Sequence, residues 1–166
     1  MTQDNEKIRW LSLYVENNRG LLARISNLFT SKAYNLETIT AGITEDPSLT
    51  RITLSLRSND EVFEQVKKQL VRMIDVIKVM DFTEIDTIMK ELIFIKVKEY
   101  TPKDMDEIFH LARVFNGSVV DCSESELILQ AVNSEKRNNE LLSVMKKYPK
   151  IEVVRGGSVA INTCHG

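Results

Sequence analysis

The sequence is poor in cysteine and histidine, the residues that form disulfides, bind zinc and most often act as nucleophile or general base. Its 166 residues include two cysteines, Cys122 and Cys164, and two histidines, His110 and His165. It contains no Cys-x-x-Cys or His-x-x-x-His spacing, no Ser/His/Asp set and no phosphate-binding glycine loop. The adjacent Cys164 and His165 would supply only two ligands, which is too few for a zinc site. The sequence therefore predicts no catalytic residues and no metal site on this chain.

A charge excess of one sign and long apolar runs are also lacking. The chain has 22 Lys and Arg against 24 Asp and Glu, a net charge of −2. This balance disfavours nucleic acid and anionic membranes as partners. No apolar run approaches the roughly 20 residues of a membrane span, and the polar N-terminal stretch does not resemble a signal peptide. We therefore expect a cytoplasmic protein that binds neither nucleic acid nor membranes.

The sequence does contain a repeat, because the same order of predicted strands and helices occurs in both halves. Alternating apolar residues predict strands, and apolar residues spaced by three and four predict helices. In the first half, this predicts strands over 8–15, 35–44, 49–57 and 76–82, with helices over 20–31 and after a Ser58-x-x-Glu61 capping box. In the second half, it predicts strands over 92–98, 118–122, 127–132 and 151–154, with helices that Thr101-Pro102 and Ser134 begin.

This order predicts an α+β fold of two tandem ferredoxin-like βαββαβ units, with domains over 1–83 and 84–166. Each unit would place two helices on one face of a four-stranded antiparallel sheet. The other face would stay open to a neighbouring domain or subunit, and Trp10, Tyr14 and Thr53 are expected on that side. Because this fold hosts many activities, the function must be argued from a site.

The best candidate site is the first strand-to-helix connection, Glu16-Asn17-Asn18-Arg19-Gly20-Leu21-Leu22. The N–H groups of Gly20, Leu21 and Leu22 would begin a helix without intrahelical partners, and such a terminus attracts a carboxylate. Asn17 offers a donor and an acceptor, which suits an ammonium group beside that carboxylate. From the residues alone, a simpler interpretation is favoured, in which Asn17 or Asn18 caps the helix and Gly20 only forms the turn.

Several segments, taken in order, resemble one family of ACT domains. They are Glu16–Ile25, Leu28-Phe29, Tyr34–Thr38 and Asp46–Thr53. Together they are similar to the regulatory, or small, subunit of acetohydroxyacid synthase, also called acetolactate synthase. The second half is similar to the C-terminal domain of that family through residues 115–121 and 151–157. Two positions depart from the family pattern: Ala33 replaces a frequent glycine, and Arg155-Gly156-Gly157 replaces Arg-Ser-Gly.

The resemblance implies a non-catalytic regulatory subunit that forms a homodimer through its N-terminal ACT domains. Valine or another branched-chain amino acid would bind at that interface and cause feedback inhibition of a separate, large catalytic subunit. Thiamine diphosphate, Mg²⁺ and FAD would belong to the catalytic subunit, with no cofactor on this chain. The implied effector contacts are Asn17, Gly20, Leu21 and Leu22 from one copy, with Asn35 and Leu36 from the other.

Two alternatives remain open at this point. The chain could be a free-standing ACT-type amino-acid sensor that regulates another enzyme. It could also be a pairing module that binds no ligand, in which case Asn35 is only a turn residue ahead of a strand.

Overall fold

The structure of the protein is a computed structural model that describes residues 6–164. His165, half of the Cys164-His165 pair, lies outside that range. The first six elements are β1 (Lys7–Glu16), α1 (Leu21–Ser31), β2 (Leu36–Ile43), β3 (Leu49–Ser58), α2 (Asp60–Val71) and β4 (Val76–Asp81). The next six are β5 (Thr87–Lys98), α3 (Pro102–Val114), β6 (Gly117–Cys122), β7 (Glu126–Asn133), α4 (Glu135–Met145) and β8 (Ile151–Asn162).

The twelve elements form two separate sheets, as the repeated order predicts. The first sheet has the strand order β2-β3-β1-β4, and the second has the equivalent order β6-β7-β5-β8. The strand pairs β1–β3, β1–β4, β2–β3, β5–β7 and β6–β7 are all antiparallel. The prediction of two tandem ferredoxin-like units is therefore confirmed.

Each unit has its own apolar core between the sheet and its two helices. In the first unit, alternate residues of β1 and β3 pack against the apolar sides of α1 and α2. The side chains at the centre of this core are Leu11, Leu13, Ile25, Phe29, Ile52, Leu54, Phe63 and Leu70. In the second unit, the same arrangement uses Ile93, Ile95, Ile108, Leu127, Leu129, Leu141 and Met145.

The described part of the chain divides into two compact units. The first contains residues 6–88 and 160–164, and the second runs from Met89 to Val159. Two strands are longer than the sequence predicts, since β5 begins at Thr87 and β8 continues to Asn162. Polar residues and glycines in these extensions interrupt the apolar alternation without preventing backbone pairing, so periodicity alone did not reveal them.

The caps of three helices test the sequence predictions directly. Thr101 caps α3 in a capping box with Asp104, and Ser134 caps α4, both as predicted. The Ser58 capping box is wrong, because Ser58 is the last residue of β3 and pairs with Lys7. The side chain of Asn59 caps α2 instead, by accepting a hydrogen bond from Val62 N at 2.9 Å.

The face of the first sheet that points away from the helices carries Trp10, Tyr14 and Thr53, as expected. Trp10 and Tyr14 are half-buried, whereas Thr53 is buried. Thr53 lies on an inner strand between Ser12 and Thr40, so its short side chain is sheltered by its surroundings. Within residues 6–164, no helix has the length and apolar character needed to cross a membrane.

Candidate functional site

The N-terminus of α1 lacks the caps that the other helices have. Gly20 occupies its N-cap position with φ 75°, a left-handed conformation that glycine adopts without strain. No side chain accepts a hydrogen bond there, and the first turn of α1 contains no acidic residue. The interpretation of Asn17 or Asn18 as helix cap is therefore wrong. By contrast, each of the other three helices has a side-chain cap and an acidic residue in its first turn.

The unpaired N–H groups at the start of α1 are not quite those of Gly20, Leu21 and Leu22, which the sequence predicts. Leu21 N donates to the Asn18 carbonyl oxygen at 3.3 Å, so it is already used. Leu22 and Ala23 lie at the second and third helical positions, where an N–H has no intrahelical partner. The helix therefore begins with unpaired donors and the positive end of its dipole, an arrangement that favours an anion.

Asn17 connects the crossover loop, residues 17–20, to the turn between β2 and β3. Its backbone N–H donates to the Ser48 carbonyl oxygen at 2.7 Å, and its side-chain Nδ2 donates to the Pro47 carbonyl oxygen at 3.2 Å. Among the described residues, nothing donates to Asn17 Oδ1, which is therefore free to accept a hydrogen bond from a ligand ammonium group.

Asp75 holds the other side of the crossover loop. Arg24 donates to its two carboxylate oxygens from Nε and Nη2 at 2.8 and 2.9 Å, and Asn18 Nδ2 donates at 3.1 Å. The Asp75 carbonyl oxygen also accepts from Glu16 N at 2.9 Å. Hydrogen bonds from Asn18 and then Arg24 lower the pKa of Asp75 below its ordinary value. This anchor is therefore complete above about pH 4 and is lost only as the pH falls through the lowered pKa.

A cleft of about 370 Å³ opens at this helix terminus. Its floor combines the start of α1 with the C-terminal end of the edge strand β2. The apolar side chains that line it are Leu21, Leu22, Ala23, Ala41 and Ile43. The other lining residues are Asn17, Asn18, Gly20, Gly42 and Thr50. We call this site the α1 cleft. It offers donors for a carboxylate, an acceptor for an ammonium group and an apolar surface for a short aliphatic side chain.

The α1 cleft brings together four of the six predicted contacts, namely Asn17, Gly20, Leu21 and Leu22. Asn35 and Leu36 do not line it, because they stand at the opposite end of β2 from Ile43. The sequence did not indicate the other six lining residues, which are Asn18, Ala23, the three β2 residues and Thr50 of β3. The β2 residues reach the cleft only through strand order, which the spacing of apolar residues along the chain does not reveal.

The equivalent position in the second unit is built differently. The loop between β5 and α3 ends at Thr101, which is the N-cap of α3, and Asp104 accepts hydrogen bonds from Thr101 N at 2.8 Å and Thr101 Oγ1 at 2.6 Å. This carboxylate satisfies the start of α3 and would repel a second anion. The depression beside it is lined by Tyr100, Pro102, Met105, Cys122, Ser123 and Glu124. Among the helices within residues 6–164, α1 of the first unit is therefore the one that presents an uncapped terminus to a ligand.

Comparison with known proteins identifies the family to which both units belong. Residues 11–78 match the family described as the AHAS small subunit-like ACT domain, and residues 90–163 match the small subunit of acetolactate synthase. The acetolactate synthase small subunit of Buchnera aphidicola from Schizaphis graminum is 36% identical over 92% of this chain and 97% of its own. The chain belongs to the acetolactate synthase small-subunit family. The resemblance identified from sequence is thereby confirmed.

Two further members agree with this assignment. The acetolactate synthase small subunit of Bacillus subtilis is 37% identical over 92% of this chain and 88% of its own length. The crystal structure of the acetolactate synthase small subunit from Thermotoga maritima is 28% identical and superposes with a TM-score of 0.84. That superposition covers 95% of this chain and 98% of the Thermotoga chain. The small-subunit family thus shares both the sequence pattern and the two-unit fold.

Family membership makes this chain a regulatory subunit that carries an ACT domain. Within residues 6–164, no group of three or more His, Cys, Asp and Glu side chains is placed to hold a metal ion. Of the two departures noted in the sequence, one has a visible structural consequence. Ala33 adopts φ 54°, where a glycine would be unstrained. Gly156, which stands where the commoner motif has serine, has no left-handed φ, and the left-handed residue is Gly157, where both motifs have glycine.

Proposed function

We propose that this chain is the regulatory subunit that activates the catalytic subunit of acetolactate synthase and makes it sensitive to valine. The observation that carries the proposal is the uncapped N-terminus of α1 opening into an apolar cleft. The carboxylate of valine would accept hydrogen bonds from Leu22 and Ala23 N–H, and its ammonium group would donate to Asn17 Oδ1. Its two methyl groups would lie against Leu21 and Ala41.

The second half of the site would come from another copy of the chain. β2 is an edge strand with a free row of backbone groups, and its exposed side chains include Ile39 and Ile43. A two-fold antiparallel pairing centred between Ile39 and Thr40 would set Leu36 of one copy opposite Ile43 of the other. Asn35 and Leu36 of the second copy would then border the α1 cleft of the first. This pairing would also close a cleft that is open in one chain.

The regulatory mechanism we propose is linkage between effector and partner. Valine would favour the paired arrangement that completes its own site, and the catalytic subunit would bind or work differently in that arrangement. The chemistry would belong to the catalytic subunit, with its thiamine diphosphate, Mg²⁺ and FAD. This chain would supply the effector site and a docking surface, within the cytoplasm.

Calorimetric titration with valine tests the effector site, and sedimentation of the same sample tests the dimer. We expect one valine per chain and a dimer at the concentrations that bind valine. Valinamide, which lacks the carboxylate, is the matched ligand control. It should bind at least about tenfold more weakly, because hydrogen bonds to a charged group contribute about 1.5–3 kcal/mol.

Two results would count against this proposal. Equal binding of valine and valinamide would mean that the terminus of α1 does not hold a carboxylate. No binding of valine, leucine or isoleucine at millimolar concentration would leave the chain as a pairing module without a ligand.

A further inference from the structure

The turn between α2 and β4 exposes an unusual amount of apolar surface. Ile74 is 94% exposed, the highest value of any large apolar side chain in residues 6–164, while Val71 is 62% and Ile77 58% exposed. Single exposed apolar residues are common on protein surfaces and need no explanation. Three within seven consecutive positions form a surface that a partner would cover, which we call the turn patch.

The turn patch lies on a rigid support. Three backbone hydrogen bonds tighten the turn: Arg72 N to Gln69 O at 3.2 Å, Met73 N to Leu70 O at 3.1 Å and Val76 N to Met73 O at 3.0 Å. The Met73 side chain packs against the core, and Asp75 is buried. Ile74, between these two inward residues, therefore points outward from a fixed backbone, which lowers the entropic cost of docking.

The same turn anchors the effector site. Asp75, the residue after Ile74, binds Arg24 and Asn18 through its carboxylate and Glu16 through its carbonyl oxygen. If the crossover loop moved, it would pull on Asp75 through these hydrogen bonds. If a docked partner shifted Ile74, the adjacent Asp75 would in turn move the crossover loop. One short turn thus connects the proposed valine site with the turn patch.

We propose that the turn patch is a docking surface for the catalytic subunit, an inference that rests on the proposed function. The patch lies beside β4, the edge of the sheet opposite β2, so pairing through β2 leaves it accessible. Lys68, Arg72 and Lys78 accompany it, and none has an ion-pair partner among the described residues. The matching surface on the catalytic subunit therefore has an apolar centre and an acidic rim.

Replacing Ile74 by serine tests this surface, with the dissociation constant for the purified catalytic subunit as the measurement. We expect Ile74→Ser to weaken binding about tenfold or more, as for a central interface residue. Valine binding and the dimer should be unchanged, because the exposed side chain supports neither. Ile74→Leu, which keeps the apolar volume, should bind like the original chain. The matched control is Val154→Ser in the second unit, where the side chain is 57% exposed.

Each other outcome has a definite meaning. Unchanged binding by Ile74→Ser overturns the inference, as does equal weakening by Val154→Ser. Dissociation of the Ile74→Ser dimer overturns it too, because the turn patch would then join two copies of this chain. Failure of the unaltered chain to bind the catalytic subunit is a separate result, which refutes the proposed function itself.

Discussion

Replacing Asn17 by alanine is expected to raise the valine concentration for half-inhibition of the reconstituted enzyme by about ten- to a hundredfold. The change removes the acceptor proposed for the ligand ammonium group, and a hydrogen bond to a charged group contributes about 1.5–3 kcal/mol. Activation of the catalytic subunit without valine should be retained. The side chain does not cap α1, and its only hydrogen bond in the described residues is the exposed one to Pro47 O.

The matched control is Asn27→Ala, which removes the same side chain from an exposed position on α1 outside the cleft. Valine inhibition and stability should both stay close to those of the original chain. If Asn17→Ala lost activation and folding together while Asn27→Ala did not, Asn17 would be a structural residue of the loop. The proposed ammonium contact would then be wrong.

Replacing Arg155 by alanine is expected to destabilise the second unit by about 3 kcal/mol. Arg155 donates to the two carboxylate oxygens of Glu91 at 2.9 and 2.8 Å, and Glu91 is almost fully buried. Asn138 Nδ2 also donates to this carboxylate, at 3.0 Å. Without Arg155, the carboxylate would remain buried with one weaker partner, and removing one member of a buried pair costs about 3–5 kcal/mol. Because Arg155 is partly exposed, we expect a destabilisation at the lower end of this range.

Hydrogen exchange of amides in β5 and β7 would measure this loss in the second unit. Fluorescence of Trp10, the only tryptophan, would report the first unit and should be unchanged. Lys150→Ala is the control, because it removes a solvent-exposed partner of Glu99 and should cost less than about 1 kcal/mol. Arg155→Lys should recover part of the stability. If the amides of β5 and β7 were equally protected from exchange in Arg155→Ala and Lys150→Ala, the buried pair would not stabilise the second unit as proposed.

The pH dependence of the buried pair follows from the ionisation of Glu91. Burial opposes ionisation, but hydrogen bonds from Arg155 and Asn138 outweigh it and lower the pKa of Glu91. The stabilisation is therefore fully present above the ordinary glutamate pKa of about 4.3, and it is lost as the pH falls through the lowered value. Arg155→Ala should accordingly narrow the difference in stability between pH 7 and pH 3.

The order of strands and helices could be predicted because the buried side of a strand and the buried side of a helix place apolar residues at different spacings along the sequence. Leu11 and Leu13 alternate along β1, whereas Ile25 and Phe29 repeat along α1 at helical spacing, so strand and helix were distinguishable. The Ser58 cap was wrong because a capping motif does not show where the preceding strand stops pairing.

The candidate site was predictable only where it is local in sequence. Asn17 and Gly20–Leu22 follow one another along the chain, and the cleft contains all of them. Ala41 and Ile43 join the cleft through the position of β2 at the edge of the sheet, which depends on long-range strand pairing. The Glu91–Arg155 pair was missed for the same reason. The sequence held one sign of a buried polar group, because Asn138 lies three positions before Leu141 on the apolar side of α4.

Acetolactate formation by the purified catalytic subunit shows whether this chain activates that subunit and makes it sensitive to valine. It should be recorded for the catalytic subunit alone, with this chain, and with this chain plus valine. We expect low activity for the catalytic subunit alone, a clear increase when this chain is added, and inhibition by valine only in the presence of this chain. Equal activity with and without the chain, or the same valine inhibition in its absence, would refute a regulatory role that senses valine.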